Sequence, residues 1–492
     1  MARAALAASF LTGALVGAAA TWLLVDQPRG KRRAKKKAEA AAAPAPTSQA
    51  VRPHDPSQPP NVVLVIGCTL RHDMLTPYGG PPEASPFVSW MASEGALFAN
   101  ALSAAPWTKA ASTALFSGYH PIQVGMTEPT ARVNRRRLSE QVTTLAEYLK
   151  ADGYETIGLT ANPNTNTLFG FSQGFDHYEE PERLWTGNEV HKPPTARLVD
   201  RILPYVDDRP GDGPLFLQLM VVDAHEPIET TRKQTRPFRD QPKRIAPYLA
   251  MVRQLDDGLS HLYEKLGERG LDASNTVFFL VNDHGEGLKY PASHGHGHGN
   301  HVQPSTVRMP WVAMGAGIAK GHVIEGMASQ VDLLPTVLGV VEASTDYAGP
   351  GRDWSAQLRG ESDRTTRTFA IADTWFQRAS RAGIYTESTA CLHDYLDLAE
   401  ELGETRLIPK TACYDRVADP LHREPILALD EPLMQQLFAW RTEMEAAYEA
   451  WPHHDDIRVT DDVEAQLEAL GYVQDEGDLE DAPARAPRRK AR

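Results

Sequence analysis

The sequence predicts an α/β fold with a doubly wound, mostly parallel sheet flanked by helices. Short, continuous runs of Val, Ile, Leu and Phe alternate along the chain with segments of helical period, which is typical of parallel strands covered on both faces. Polar residues able to perform chemistry follow several of these runs. Apolar residues make up 42% and charged residues 23% of the 492 residues, as in ordinary globular proteins.

Five apolar runs are predicted to be strands: Val62–Ile66, Thr156–Ala161, Leu215–Val222, Val277–Val281 and Trp311–Met314. Five segments with apolar residues at i, i+3 or i+4 are predicted to be helices: Pro86–Glu94, Glu140–Ala151, Thr195–Leu203, Pro247–Arg269 and Asp332–Val341. Glycines follow three of these helices within two residues and are expected to form left-handed C-terminal caps: Gly95, Gly153 and Gly270.

The ends of the chain differ from its middle. Ala4–Val25 is uncharged, mostly apolar and long enough to cross a membrane as a helix, and a basic cluster follows at residues 31–37. A membrane anchor, a cleaved signal peptide ending near Ala20 and a buried helix are all open, with the anchor favoured because the apolar run continues past Ala20. We therefore expect an anchor or signal segment at 1–30, a basic and Ala/Pro-rich linker at 31–60, and a disordered charged tail at 475–492.

The overall charge and the cysteine count exclude some classes of protein. Lys and Arg number 50 and Asp and Glu number 64, which leaves a net charge of −14 and argues against a nucleic-acid partner. Three cysteines are too few for a disulfide framework, although one bridge between Cys391 and Cys413 remains open.

Residues with ligating or acid–base side chains follow three of the predicted strands. Cys68 and Thr69 come after the first, His225 after the third, and Asp283 and His284 after the fourth. Since the carboxyl ends of parallel strands meet at one edge of a doubly wound sheet, we expect these side chains to share one site.

The order of the motifs resembles the sulfatase family of the alkaline-phosphatase superfamily, from Pro60 to about Val473. The segments that carry the resemblance are Asn61–Asp73, Pro106–Gly118, Phe169–Tyr178, Asp223–Pro227, Asp283–Glu286, His298-Gly299 followed by Arg308-Met309-Pro310, Tyr414–Pro420 and Leu470–Val473. The resemblance implies an α/β domain at 61–360 and a small C-terminal α+β subdomain at 361–474.

The resemblance also implies a divalent cation, which in this family is calcium or magnesium. Asp283 and His284 match one pair of its ligands. Cys68, followed by Thr69, stands in the other pair where an Asp is expected. A thiol suits Zn²⁺ better than the hard cations, so a zinc site, a weakened hard-cation site and a lost metal site all remain open.

Thr108 matches the position of the family's nucleophile, which is normally a Cys or Ser converted to formylglycine. Ala110, Ala111 and Ser112 replace the Pro, Ser and Arg of the modification signature, so that signature is absent. Thr108 can still act as an alkoxide nucleophile, as in relatives that transfer phosphoryl groups. Alternatively, Thr108 or Ser112 caps a helical segment at residues 113–116.

Four further residues match or neighbour positions that contact the ester. His225 and His298 are candidates for the general acid, because imidazole changes charge near neutral pH. Lys109 adds a positive charge beside the nucleophile, and Asn162 stands near a lysine of many sulfatases; together with Ser112 they are expected to bind the substrate. A His- and Gly-rich stretch at residues 293–301 is expected to form a loop at the rim of the site.

The resemblance therefore implies a metal-assisted hydrolase of a sulfate ester that is anchored to a membrane or exported to an extracytoplasmic space. A phosphoester hydrolase or phosphoryl transferase using Thr108 is the first alternative. The second is a non-catalytic relative that binds an anionic ligand or partner.

Overall fold

The structure is a computed structural model that describes residues 58–127, 135–180, 192–211, 213–291, 297–363, 367–376, 379–395, 410–426, 428–451, 457–470 and 472–473. All of these residues fall in the larger of the chain's two units, Ala42–Arg492. The predicted anchor or signal segment, most of the linker and the charged tail lie outside the described residues. Among the helices that are described, none has the length and apolar character needed to cross a membrane.

Thirteen strands are found in the described ranges. They are β1 (Asn61–Gly67), β2 (Gly95–Leu102), β3 (Glu155–Thr160), β4 (His177–Glu179), β5 (Leu215–Val221), β6 (Thr276–Asn282), β7 (Arg308–Met309), β8 (Trp311–Gly315), β9 (His322–Ser329), β10 (Ala370–Phe376), β11 (Ala379–Tyr385), β12 (Thr389–Asp394) and β13 (Thr411–Asp415).

The α-helices of the same ranges lie between and after these strands. They are α1 (Pro86–Glu94), α2 (Thr108–Ser117), α3 (Leu145–Ala151), α4 (Thr195–Asp207), α5 (Arg232–Thr235), α6 (Ala246–Gly267), α7 (Pro304–Val307), α8 (Leu333–Val340), α9 (Ser355–Leu358), α10 (Glu431–Ala450) and α11 (Asp461–Ala469).

The first nine strands form one mixed sheet in the order β4-β3-β5-β1-β6-β8-β2-β7, with β9 paired to β2. The five strands from β4 to β6 run parallel, whereas β8 is antiparallel to both β6 and β2. Strands β1, β5 and β6 are almost wholly buried, as expected for a sheet covered on both faces. The predicted α/β class with a mostly parallel sheet is therefore confirmed.

Each of the five predicted strands is present, with ends shifted by one residue at most. Two of the predicted glycine caps are also present, because Gly153 and Gly270 have positive φ angles of 87° and 74°. The cap at Gly95 was wrong: its φ is −146°, and it begins β2 directly after α1. A Cβ at Gly95 would lie 2.1 Å from the carbonyl oxygen of Ala313 in β8, so the glycine permits close strand pairing instead.

Two predicted helix starts were also wrong. The helix predicted from Glu140 begins at Leu145, where Thr144 and Glu147 form a capping box that satisfies the first backbone amides. The helical segment predicted after Thr108 begins at Thr108 itself, with Trp107 as its N-cap residue. Neither Thr108 nor Ser112 caps this helix through its side chain.

A separate four-stranded antiparallel sheet follows in the order β10-β11-β12-β13. Cys391 and Cys413 are directly opposite each other in β12 and β13 and form a disulfide. Arg441 of α10 is paired with Asp373 of β10 at 2.5 Å, which ties this helix to the sheet. The predicted small C-terminal α+β subdomain is thus present, while its boundary at residue 361 stays a prediction.

Candidate active site

Four adjacent parallel strands deliver the candidate site residues to one edge of the large sheet. The residue after β1 is Cys68, the residue after β6 is Asp283, and Asn162 and His225 follow β3 and β5 by a few positions. The last residues of β1 and β6, Gly67 and Asn282, are register partners. The pairing of β1 with β6 therefore places Cys68 beside Asp283.

Three of the predicted metal ligands lie together at this edge. One ligand atom each from Cys68, Asp283 and His284 lies within 4.8 Å of the others, and all three residues are buried. The Oδ1 atom of Asp283 accepts hydrogen bonds from the backbone amides of Thr69 at 2.9 Å and His284 at 2.6 Å. The Oδ2 atom of Asp283 is buried without a hydrogen-bond donor among the described residues. One carboxylate oxygen is thus fixed and the other is available to a cation.

His284 presents a lone pair to the same space. Its Nδ1 atom lies 2.8 Å from the carbonyl oxygen of Gly285, so Nδ1 carries the hydrogen and donates it. Burial lowers the pKa of His284 despite the nearby Asp283 carboxylate, which leaves the imidazole neutral. The Nε2 lone pair therefore faces Oδ2 of Asp283 at 3.4 Å.

Cys68 completes a mixed donor set. Burial raises the pKa of its thiol well above the usual value, and the Asp283 carboxylate raises it further, so without a cation the thiol stays protonated. Sulfur, nitrogen and one carboxylate are ordinary ligands of Zn²⁺, whereas Ca²⁺ and Mg²⁺ prefer several oxygen atoms. These three donors, with Oδ2 of Asp283 unsatisfied, fit a zinc-like cation better than a hard one.

Thr108 lies beside this donor set, at the first turn of α2. Its Oγ1 atom is 2.7 Å from the hydroxyl of Tyr472, 3.2 Å from Nε2 of His284, 3.4 Å from Nδ2 of Asn162 and 3.8 Å from Sγ of Cys68. Because Nε2 is a lone pair and the amide of Asn162 is a donor, the Thr108 hydroxyl donates to His284 and accepts from Asn162. The predicted nucleophile and the predicted metal ligands are thus in contact.

His298 reaches Thr108 through Tyr472. Its Nε2 atom is 2.9 Å from the Tyr472 hydroxyl, and its Nδ1 atom is 3.0 Å from the Glu286 carboxylate. Burial by itself would lower the pKa of His298, but the Glu286 carboxylate reverses this effect and raises the pKa above its usual value. Burial would likewise raise the pKa of Glu286, and the His298 imidazolium lowers it to about 2. His298 is therefore a cation that donates on both sides. We call the space bounded by Cys68, Thr108, Asp283, His284 and His298 the pit.

Three further predicted residues lie around the pit with other contacts. The ring of His225 lies 5.1 Å from that of His298, edge to face, and burial lowers its pKa well below the usual value. The Lys109 ammonium lies 3.3 Å from the centre of the Phe169 ring. Asn162 donates to Sγ of Cys68 at 3.2 Å as well as to Thr108.

Thr69 and Ser112 contribute less directly. The hydroxyl of Thr69 donates to the carbonyl oxygen of Cys68 at 2.7 Å, so Thr69 supports Asp283 through its backbone amide. The hydroxyl of Ser112 is buried without a hydrogen-bond partner among the described residues. Their roles as a metal ligand and a substrate contact stay predictions. Of the His-rich stretch, residues 297–301 are described and contain no helix or strand, while residues 293–296 lie outside the described residues.

Sequence reasoning assigned no role to Glu286 or Tyr472. Both belong to segments that carried the family resemblance, Asp283–Glu286 and Leu470–Val473, and these motifs were the available signal. Glu286 follows β6 by four positions, so the strand-end argument could have found it. Tyr472 could not be placed in this way, since it is 364 residues from Thr108 and follows α11 instead of a strand.

Comparison with known proteins agrees with this geometry. The family model described as Sulfatase matches residues 60–343, more than half of the chain. An arylsulfatase of Hemicentrotus pulcherrimus is 24% identical over 341 residues, which are 60% of this chain and 60% of the relative. N-acetylgalactosamine-6-sulfatase of Homo sapiens is 26% identical over 333 residues, which are 58% of this chain and 62% of the relative. The aligned part thus spans about 60% of the length of these relatives.

A solved structure from Bacteroides thetaiotaomicron, designated 4S-sulf and described in the context of glycosaminoglycan metabolism, shares the fold. It superposes with a TM-score of 0.64 at 17% identity, covering 80% of this chain and 97% of the other. The match to the family over most of the α/β domain, with the site residues in contact at its sheet edge, identifies this chain as a member of the sulfatase family.

Proposed function

We propose that the protein is a metal-assisted hydrolase that cleaves a sulfate ester. The observation that carries this proposal is the contact between a hydroxyl nucleophile and a set of metal ligands, Thr108 with His284 and Cys68, in a chain of the sulfatase family. The ring of His298 lies 4.6 Å from that of His284, and its imidazolium supports the proposal, since it supplies a proton donor for the leaving oxygen.

The proposed cation is Zn²⁺, held by Cys68, Asp283 and His284. When bound there, a dication supplies positive charge for the anionic ester and for the charge that develops on the attacking oxygen. The lone pair of His284 that would bind the cation also accepts the hydrogen of Thr108. A cation bound at this lone pair would displace the hydrogen of Thr108. Because the Cys68 thiol must also lose its proton to bind the cation, we expect metal affinity to rise with pH.

The proposed roles of the other side chains follow from their hydrogen bonds. The Thr108 hydroxyl releases its proton to solvent and Oγ1 attacks the sulfur atom, while the bond from sulfur to the leaving alcohol breaks and His298, oriented by Glu286, donates its Nε2 proton to that alcohol oxygen. Water then attacks the sulfur of the Thr108 sulfate ester, which releases inorganic sulfate and restores the hydroxyl, and His298 regains a proton. Asn162 donates to Oγ1 of Thr108 and orients it. The ring of His225 lies against that of His298 and is neutral, so it adds no second positive charge beside the imidazolium.

A phosphoester is the second candidate substrate, and Thr108 favours it. Threonine cannot become the formylglycine of typical sulfatases, whereas an unmodified hydroxyl is a competent nucleophile towards phosphorus. Both substrates are tetrahedral anions that need the same pit. The ratio of kcat/KM for 4-nitrophenyl sulfate to kcat/KM for 4-nitrophenyl phosphate, measured on the zinc-equilibrated full chain, decides between them.

The hydroxyl of Thr108 is tested by a matched pair of variants. Thr108→Val removes the proposed nucleophile with little change in volume and should lower kcat/KM by at least about a thousandfold. Thr113→Val removes a buried hydroxyl of the same helix, which donates to the carbonyl of Lys109, and should stay within about threefold of the wild type. Equal losses in both variants would contradict the proposed role of Thr108. An absence of turnover with all substrates, despite sulfate binding, would favour the non-catalytic alternative.

We also propose that the protein is exported or anchored to a membrane through its N-terminal segment. The disulfide between Cys391 and Cys413 supports an oxidising, extracytoplasmic location. The apolar stretch at residues 4–25 supports membrane attachment or export. Fractionation of cells that express the full chain, with and without residues 1–30, tests this proposal: release of the truncated protein from the membrane fraction would show an anchor.

A further inference from the structure

We propose that Tyr472, which follows α11, is an inhibitory plug: its side chain occupies the place of the anionic ester group. This inference rests on the proposed function of the pit. The Tyr472 hydroxyl lies 2.7 Å from Oγ1 of Thr108 and 2.9 Å from Nε2 of His298. Those two atoms are the proposed nucleophile and the proposed acid, and the reacting group of a substrate must lie between them.

Tyr472 fills the space in front of Thr108. A tetrahedral atom positioned for attack lies about 3–3.5 Å from the attacking oxygen. The phenolic oxygen of Tyr472 is already inside that distance, at 2.7 Å. An ester group and Tyr472 therefore cannot both occupy the pit. If Tyr472 were a permanent relay between His298 and Thr108, it would have to act at the position that the substrate needs.

The residues of the pit are buried. Cys68, Thr108, Asp283 and His284 have no exposed surface, and Tyr472 is only 5% exposed. The ring of Tyr472 lies next to those of His298, Phe376 and His225, at 5.4, 6.1 and 6.1 Å. Side chains so enclosed are closed to an ester in solution. Substrate access requires a movement, and Tyr472 is the group in direct contact with the nucleophile.

Helix α11, which carries Tyr472 at its C-terminal side, lies at the surface of the molecule. Leu467, Leu470 and Tyr472 are buried, and Ile457, Val459, Val463 and Val473 pack partly buried against the large core. Of the eight α11 side chains that the structure describes, seven are exposed or partly exposed. A surface helix of this kind can open locally while the central sheet stays folded. We infer that Tyr472 leaves the pit by such an opening.

The test uses the thiol of Cys68, the one free cysteine, as a reporter of access to the pit. Full-length protein treated with a chelator is reacted with methyl methanethiosulfonate, and the modified fraction is followed by mass spectrometry. Tyr472→Ala should react at least about tenfold faster than the wild type, and Tyr472→Phe, which keeps the ring, should react slowly. Val473→Ala, on the same segment, is the matched control and should react like the wild type.

A second measurement examines the anion position. Calorimetric titration of zinc-equilibrated protein with inorganic sulfate should show at least about tenfold tighter binding by Tyr472→Ala than by the wild type. An unchanged thiol reactivity in a folded Tyr472→Ala protein would overturn the plug, and so would equal sulfate affinity in the two proteins. Tighter sulfate binding without ester hydrolysis would contradict the proposed function and leave the plug supported.

Discussion

The Nε2 atom of His284 lies 3.4 Å from the Oδ2 atom of Asp283, with no hydrogen between them. The hydrogen of the ring is on Nδ1, where it is donated to the carbonyl oxygen of Gly285. The Nε2 atom accepts the hydrogen of Thr108, whereas Oδ2 of Asp283 has no donor among the described residues, so the buried carboxylate oxygen is unfavourable unless a cation lies beside it. This pair, together with the thiol of Cys68, gives the family's metal position a different ligand chemistry.

The first prediction concerns the identity of the metal. Full-length protein should bind about one equivalent of Zn²⁺ and bind Ca²⁺ at least about a hundredfold more weakly, because a thiolate and an imidazole suit the softer cation. Equilibrium dialysis with each metal, followed by elemental analysis, measures both affinities.

Cys68→Ala should weaken zinc binding by at least about tenfold. Ser112→Ala is the matched control, since it removes a buried polar atom of the neighbouring helix that lacks a hydrogen-bond partner among the described residues. Tighter binding of Ca²⁺ than of Zn²⁺ by the wild type would show that the site has kept the hard-cation preference.

The second prediction concerns pH and the pair of Glu286 with His298. Since the folded-state pKa of Glu286 is lowered from 4.5 to about 2, its contribution to stability is present above pH 4.5 and is lost as pH falls towards 2. The pKa of His298 is raised above 6.5, so its contribution is present below 6.5 and is lost as pH rises through the raised value. The pair therefore stabilises the fold most between these limits.

Glu286→Gln should lower the free energy of unfolding by about 3 kcal/mol near pH 5.5 and by less near pH 9. Urea unfolding of chelator-treated protein at several pH values measures this difference. Glu264→Gln, at an exposed position of α6, is the control and should show no pH-dependent change. A Glu286→Gln effect of the same size at every pH would contradict the assigned charges.

The third prediction concerns the disulfide of the small sheet. Cys391 and Cys413 are separated by 22 positions, and closing a loop of this length stabilises the fold by about 3 kcal/mol in the chain-entropy model. The double variant Cys391→Ser/Cys413→Ser should lose about that amount in urea unfolding. Adding reductant should then destabilise the wild type but not the variant; equal sensitivity of both would show that the bridge does not form.

The fourth prediction concerns two glycines: Gly95, which is closely packed, and Gly267, which has open space around it. Gly95→Ala should destabilise the protein by about 2 kcal/mol, because the new Cβ would meet the backbone of Ala313 and the side chain of Met314. Gly267 is at the end of α6, and an added Cβ would have no neighbouring atom within 4 Å. Gly267→Ala should therefore be neutral or stabilise the protein by about 0.5 kcal/mol. Thermal unfolding of both variants checks the pairing of β2 with β8, and a neutral Gly95→Ala would contradict it.

Much of the large sheet could be predicted because its parallel strands are continuous apolar runs. Strand β2 was missed, since the sequence of Gly95–Leu102 shows neither strict alternation nor a continuous β-branched run. Its place in the sheet depends on pairing with β8 and β9, which follow more than 200 residues later. Pairing of this kind leaves no local signal.

The site residues that follow strands could be predicted from the sequence, whereas those on a helix or on a distant segment could not. Cys68, Asp283 and His284 lie together because β1 and β6 are neighbours. Lys109 follows Thr108 in sequence, yet on a helix successive side chains point about 100° apart, and its ammonium packs on Phe169. Tyr472 reaches Thr108 from the far end of the chain, which no spacing rule describes.

The central claim is that the Thr108 hydroxyl is the nucleophile of an ester hydrolase. Threonine lacks the aldehyde hydrate of typical sulfatases, so a sulfate ester on Thr108 should hydrolyse slowly and accumulate during turnover. The most direct measurement is acid quenching of zinc-equilibrated protein during turnover of 4-nitrophenyl sulfate, followed by mass spectrometry of the peptide that contains Thr108. We predict a sulfuryl group on Thr108 in the wild type and none in Thr108→Val; steady turnover with Thr108 unmodified at every quench time would contradict the account.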